Sequence, residues 1–199
     1  MGGTMEGSLR VGSVPGGSQL IQTHYSNPLR DVIVEINKDS NNVMARQLLL
    51  SMGAKQFGAP GNTQKGAQAV GQFLESRGLR FGNLRIENGS GLSRIERISA
   101  REMGEMLVDA YNSPYRSDLI RSMGVIVVDG TVKNRLRNLA GRGSFKTGTL
   151  RDVRALAGYL TAANGQPYVI SIIHNDGNIR GDAKQAHDQL VEWVYTGGR

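Results

Sequence analysis

Gly143-Ser144-Phe145-Lys146-Thr147-Gly148-Thr149-Leu150 is the stretch at which this chain of 199 residues changes its period. Ser144 to Thr149, and then Val153 to Thr161, alternate or run apolar in the manner of strands, where successive side chains point to opposite faces. Asn164-Gly165 is a strong hairpin signal, and Tyr168, Ile170 and Ile172 line one face of the next strand. Asp182 opens a last helix, in which Ala186, Leu190, Trp193 and Val194 fall on one side. The spacing therefore predicts a three-stranded antiparallel meander closed by a helix.

Upstream the period is helical. Asn27-Pro28 predicts a helix start, with Asn as cap and Pro at the first helical position, and Leu29, Val32, Ile33 and Ile36 form a stripe that stops near Lys38. Asp39-Ser40-Asn41-Asn42 interrupts the pattern, and Val43 to Leu50 resumes it until Gly53. Two helices thus meet at a joint that points short polar side chains out of a rigid frame. Phe57 to Asn62 reads as a loop, and Thr63 as the cap of a helix carrying Val70, Phe73 and Leu74 to Gly78. Leu84 to Glu87 is at most a short strand, and residues 88–94 are a turn-rich loop. Ser99 and Glu102 make a capping box ahead of Met103, Met106, Leu107, Ala110 and Tyr111. A short helix over Asp118–Met123 and an apolar run over Val125–Val128 lead back to the strands. Helices first and a meander afterwards is an α+β pattern. Residues 1–17, rich in Gly and Ser, read as a flexible leader, with the structured part over 18–199.

Composition removes whole classes of function. There is no cysteine, so a disulfide framework, a thiol nucleophile and a Cys-ligated metal are excluded, and the three histidines stand at no metal-binding spacing. No cofactor and no metal are expected. No apolar run reaches the roughly 18 residues of a membrane span. The net charge of +7 is concentrated: Lys133, Arg135, Arg137, Arg142, Lys146, Arg151 and Arg154 face only Asp152 within residues 131–154. Such a field favours an anionic partner. A nucleic-acid-binding domain is one reading of it, but Phe145 is the lone aromatic in that stretch and no recognised nucleic-acid motif is present.

Two polar clusters carry the candidate chemistry, Ser40-Asn41-Asn42 at the helix joint and Lys146-Thr147-Gly148-Thr149 on the first strand of the meander. In that order, about 100 residues apart, they match the SxN and KTG motifs of penicillin-binding proteins and serine β-lactamases. With Pro28-Leu29 before the joint, the loop Gly89-Ser90-Gly91-Leu92-Ser93-Arg94, Val128-Asp129-Gly130-Thr131 and Leu156-Ala157-Gly158-Tyr159, the chain resembles the C-terminal part of the D-alanyl-D-alanine carboxypeptidase/endopeptidase family. These are the low-molecular-mass class C penicillin-binding proteins, peptidase family S13. The resemblance covers roughly Ser18 to Val194. It departs at Asn41 and Asn88, where Asp is frequent, and more sharply at the nucleophile: no Ser here has Lys three residues later. At that spacing on a helix, hydroxyl and amine share a face, which lets the Lys activate the Ser.

The resemblance implies a β-lactamase/transpeptidase-like fold, an antiparallel sheet with the C-terminal helix packed on it plus a helical subdomain. It implies acyl transfer on a peptidoglycan stem peptide ending in D-Ala-D-Ala, binding of β-lactam antibiotics and a periplasmic location. Ser40, Asn42 and Lys146 would be the catalytic residues, and Thr147, Gly148 and Thr149 would bind substrate. Because the family's SxxK segment lies upstream of SxN, the chain is expected to be the C-terminal part of a longer enzyme, inactive without that segment and exposing apolar surface where it would sit. A non-catalytic cell-wall-binding or scaffold relative is the alternative.

Overall fold

The computed structural model describes residues 2–179 and 182–198. Residues 2–28 contain no helix or strand and are exposed. Helix α1 spans Leu29–Lys38. Pro28 occupies the cap position with φ −53° and ψ 145°, and no side chain caps the helix. The expected Asn27 cap is thus displaced, because Pro28 is still extended and its carbonyl takes the first amides, those of Asp31 and Val32. Of the expected apolar stripe only Ile36 is buried, and Leu29 is exposed.

Helix α2 runs over Asn42–Phe57. It passes through Gly53 where a stop was expected, and the reason lies in its neighbour α3, Thr63–Ser76. A Cβ on Gly53 would lie 2.6 Å from the Gly66 nitrogen, and one on Gly66 would lie 2.6 Å from Leu49. The two glycines let the helices cross with their backbones almost touching. Asn62, not Thr63, caps α3, accepting from the Lys65 amide at 2.8 Å. Leu84–Glu87 contributes a single bridge, Arg85 to Arg97, in place of the short strand considered there.

Ser99 and Glu102 form the expected capping box of α4, Ala100–Tyr111. Helix α5 spans Arg116–Ser122. Four antiparallel strands follow in the order β1-β2-β3-β4, namely Gly124–Val125, Gly143–Leu150, Val153–Thr161 and Pro167–Asn175. The meander is present as predicted and gains β1, which pairs only with Ser144 and Phe145. Of the apolar run Val125–Val128 only Val125 lies in β1, and the chain turns at Val127, which has φ +65°.

Helix α6 covers Asp182–Tyr195. The inward face was misread from sequence. Ala183, His187 and Val191 are buried, Ala186 is exposed, and Leu190 and Trp193 are 44% and 54% exposed. Four-residue steps from Ala183 lead through His187 to Val191, so a histidine that hydropathy counts as polar lies on the packed face. That face meets Phe145, Leu156, Leu160 and Ile170 on one side of the sheet. On the other side Tyr159 packs with Leu107 and Met123, and its hydroxyl donates to the Leu107 carbonyl at 2.8 Å. Burial pushes the Tyr159 phenol up to about 12, which keeps it a donor. The sheet is thus covered by α6 on one face and α4 on the other, the α+β architecture expected.

Candidate active site

Ser40 sits between α1 and α2 with φ +54°. The Asn41 amide reaches back to the Ile36 carbonyl at 3.0 Å and the Asp39 amide to Glu35 at 3.2 Å, so α1 ends in a left-handed turn of the kind usually closed by glycine. A serine there costs about 1–2 kcal/mol. One residue on, the Asn41 side chain accepts from the Met44 amide at 3.0 Å and starts α2. Both helix ends are satisfied locally, and the Ser40 hydroxyl is held in the gap between them.

Lys146 reaches that hydroxyl. Its Nζ donates to Ser40 Oγ at 2.9 Å and to the Thr147 carbonyl at 2.9 Å. Among the described residues no carboxylate pairs with it, and burial lowers its pKa from the ordinary lysine value. A half-buried ammonium with oxygen ligands and no counter-ion is a site for an anion or for a proton in transit.

Asn42, the first residue of α2, donates from Nδ2 to the Ser90 carbonyl at 2.5 Å. The loop it holds is shaped by Glu96, which accepts from the amides of Asn88 and Gly89 at 3.1 and 2.8 Å, and by Asn88, which accepts from the Ser90 amide at 2.9 Å. An amide group carries two donor hydrogens, so Asn42 retains one beyond this bond.

On β2 the alternation separates the motif. Lys146 pairs with Ala157, on the α4 side, whereas Thr147 pairs with Leu156, on the α6 side. Past Phe145 the outer edge of β2 has no strand beside it among the described residues. Gly148 and Thr149 continue along this edge. The Thr149 hydroxyl is exposed and without a hydrogen bond among the described residues, and Thr147 Oγ1 shares one with Thr131 Oγ1 at 2.7 Å. An extended ligand on this edge would meet the lysine on one face of the sheet and the two hydroxyls on the other. Ser40 and Lys146 are thus brought into direct contact, Asn42 lies two residues beyond Ser40, and Thr147, Gly148 and Thr149 follow Lys146 along β2, with the Thr147 side chain on the opposite face of the sheet.

Sequence reasoning assigned no role to Lys38, Asp129 or Thr131. Lys38 forms an ion pair with Asp129, whose other oxygen accepts the Val125 amide at 2.8 Å. Burial pushes the Asp129 carboxyl up, but the bonds from Lys38 and Val125 outweigh it and leave it below the usual carboxylate range. The signal was present in Val128-Asp129-Gly130-Thr131, a stretch singled out without an interpretation.

A cavity of about 970 Å³ lies between α2, α3, α4 and the sheet, lined largely by apolar side chains such as Leu49, Leu74, Met106 and Ile173. It extends to Gly91, which borders Asn42. Among the described residues no group of three histidines or acids could hold a metal ion, and no helix is long and apolar enough to cross a membrane.

A helix-flanked antiparallel sheet with a lysine on its edge strand facing a serine between two helices defines the penicillin-binding and β-lactamase class of folds. The model of the D-Ala-D-Ala carboxypeptidase 3 (S13) family matches residues 1–196, and the chain belongs to that family. A D-alanyl-D-alanine carboxypeptidase of Actinomadura sp. is 32% identical over 184 residues, 87% of this chain and 34% of that protein. The crystal structure of penicillin binding protein 4 (dacB) from Haemophilus influenzae, complexed with a β-lactam, superposes with a TM-score of 0.80 at 29% identity, over 86% of this chain and 42% of that one. The TLA-1 β-lactamase shares the fold, with a TM-score of 0.62 at 16% identity over 84% of this chain and 63% of that one. The chain spans 34% to 42% of the length of the curated relatives it matches.

Proposed function

We propose that this chain supplies the SxN and KTG walls of a serine-type D-Ala-D-Ala carboxypeptidase or endopeptidase, acting in the periplasm on peptidoglycan stem peptides ending in D-Ala-D-Ala and acylated by β-lactams. The observation that carries the proposal is the 2.9 Å bond from Lys146 Nζ to Ser40 Oγ.

The nucleophile is the serine of an SxxK segment, a motif that residues 1–199 do not contain. Its oxygen attacks the carbonyl between the two D-alanines, the C–N bond breaks, and the acyl group stays on the serine until water releases it. Ser40 passes a proton to the leaving amine, and Lys146, its pKa lowered by burial, sits beside that hydroxyl as the relay's charged partner. Asn42 gives its free donor to the substrate carbonyl and orients the incoming lysine. Thr147 and Thr149 hold the terminal carboxylate, and the Thr149 amide forms one half of an oxyanion hole completed by the nucleophile's own amide. Gly148 leaves the strand edge clear for the peptide.

The apolar cavity beside Asn42 is the place for the upstream segment, whose burial there would deliver the nucleophile to the cleft. Alone, the chain has the pocket walls without the attacking group and is inert. The test is release of D-alanine from an acylated peptide ending in D-Ala-D-Ala by the product of the full reading frame. Turnover that disappears in its Lys146→Ala variant supports the proposal. Absence of turnover and of β-lactam acylation in the wild type would overturn it and favour a scaffold role.

A further inference from the structure

Among the described residues, Thr131 is the one outside both motifs whose side chain bonds directly to a motif side chain, through Thr147 Oγ1 at 2.7 Å. Its position is fixed from both sides. Val132 is fully buried in the core, and Gly130, with φ +62°, is pressed against Gly124 so closely that a Cβ on it would lie 2.7 Å from the Gly124 Cα. Asp129 adds a third restraint, tied to the Val125 amide and to Lys38, which stands two residues before Ser40. The segment 129–131 is therefore tied at one end to the last residue of α1, through Lys38, and at the other to β2, through Thr147.

We infer that Thr131 is a positioning residue for recognition of the substrate's terminal carboxylate. The inference rests on the reading of the site as a D-Ala-D-Ala peptidase. Either hydroxyl can donate at this distance, since each rotates about its C–O bond. When a carboxylate arrives, Thr147 turns its O–H to the anion and accepts from Thr131 in place of donating to it. Two hydrogen bonds in series polarise each other, so the Thr147 hydroxyl becomes a better donor than a lone threonine. Without Thr131, Thr147 has no partner to hold its rotamer once its proton faces the ligand.

The effect belongs to a contact made in both ground and transition states, so it raises KM and leaves kcat near its wild-type value. The full-length protein and its Thr131→Val and Thr131→Ser variants would be assayed with a peptide ending in D-Ala-D-Ala, and their acylation rates compared for a penicillin and its carboxyl methyl ester. For Thr131→Val the expected result is a rise in KM of about tenfold, in line with loss of one such hydrogen bond. The acid-to-ester preference should fall by a similar factor, and Thr131→Ser should restore both. The preference is a ratio, so it reports on the folded fraction even if the valine variant is less stable. Equal losses for acid and ester, a fall in kcat alone, or a Thr131→Ser variant no better than Thr131→Val would overturn the inference. Failure of the wild type to acylate at all would instead count against the peptidase reading.

Discussion

Lys146 and Ser40 are separated by 106 positions in sequence, yet the lysine Nζ donates to the serine Oγ at 2.9 Å. Asn42 stands two residues beyond Ser40, and Thr147 is next to Lys146 on β2. Removing the lysine should leave the fold intact, because its ammonium makes no ion pair among the described residues. Lys146→Ala in the full-length protein is expected to slow β-lactam acylation by about a hundredfold or more, the scale of losing a charge aimed at the reacting group. Stopped-flow acylation within about threefold of wild type would contradict the role given to it.

Ser40 separates stability from activity. Glycine has no steric objection to the left-handed conformation that Ser40 holds at φ +54°. Ser40→Gly is expected to melt at the wild-type temperature or higher, while acylation falls at least tenfold through loss of the hydroxyl that Lys146 meets. Calorimetry and acylation kinetics on the same sample check both halves.

His187 sets a pH dependence. It is buried, its Nε2 has no hydrogen-bond partner among the described residues, and its ring lies 6.0 Å from that of His174. Burial, then Arg135 and His174, lower its pKa against the weaker opposing pull of Asp188. The unfolded chain therefore binds the proton more readily, and stability falls as pH drops below about 6.5. His187→Gln is expected to flatten part of that acid-side decline. Melting curves from pH 7 to 5 in which variant and wild type run parallel would contradict this.

Leu156 is fully buried between α6 and the sheet and pairs with Thr147. Leu156→Ala is expected to cost about 2–5 kcal/mol by removing side-chain volume from a packed core. Urea unfolding measures it, and a cost below about 1 kcal/mol would mean that the α6 side of the sheet is looser than described.

The sequence disclosed those parts of the molecule whose cause is local. The capping box at Ser99 and Glu102, the meander from Gly143 onward and the polar joint at Ser40 are each written in neighbouring residues. Features set by distant packing were hidden. Gly53 looked like a helix end, but it is a crossing point, which only Gly66 on another helix explains. His187 looked polar and is buried, whereas Trp193 looked like core and is exposed, because the face of α6 that turns inward is decided by the sheet beneath it. The pairs Lys38 with Asp129 and Thr131 with Thr147 join segments that no periodicity relates. The SxN and KTG clusters were legible as motifs, and their meeting in space came from the fold.

We propose that this chain carries the SxN and KTG part of an acylating site, whose nucleophile belongs to an SxxK segment outside residues 1–199. The most direct measurement is to treat the chain and the product of its full reading frame with a fluorescent penicillin and weigh both by intact mass spectrometry. One covalent adduct on the long form and none on the short chain is the expected result. An adduct on the short chain would contradict the account of the nucleophile, and an adduct on neither would contradict the catalytic reading itself.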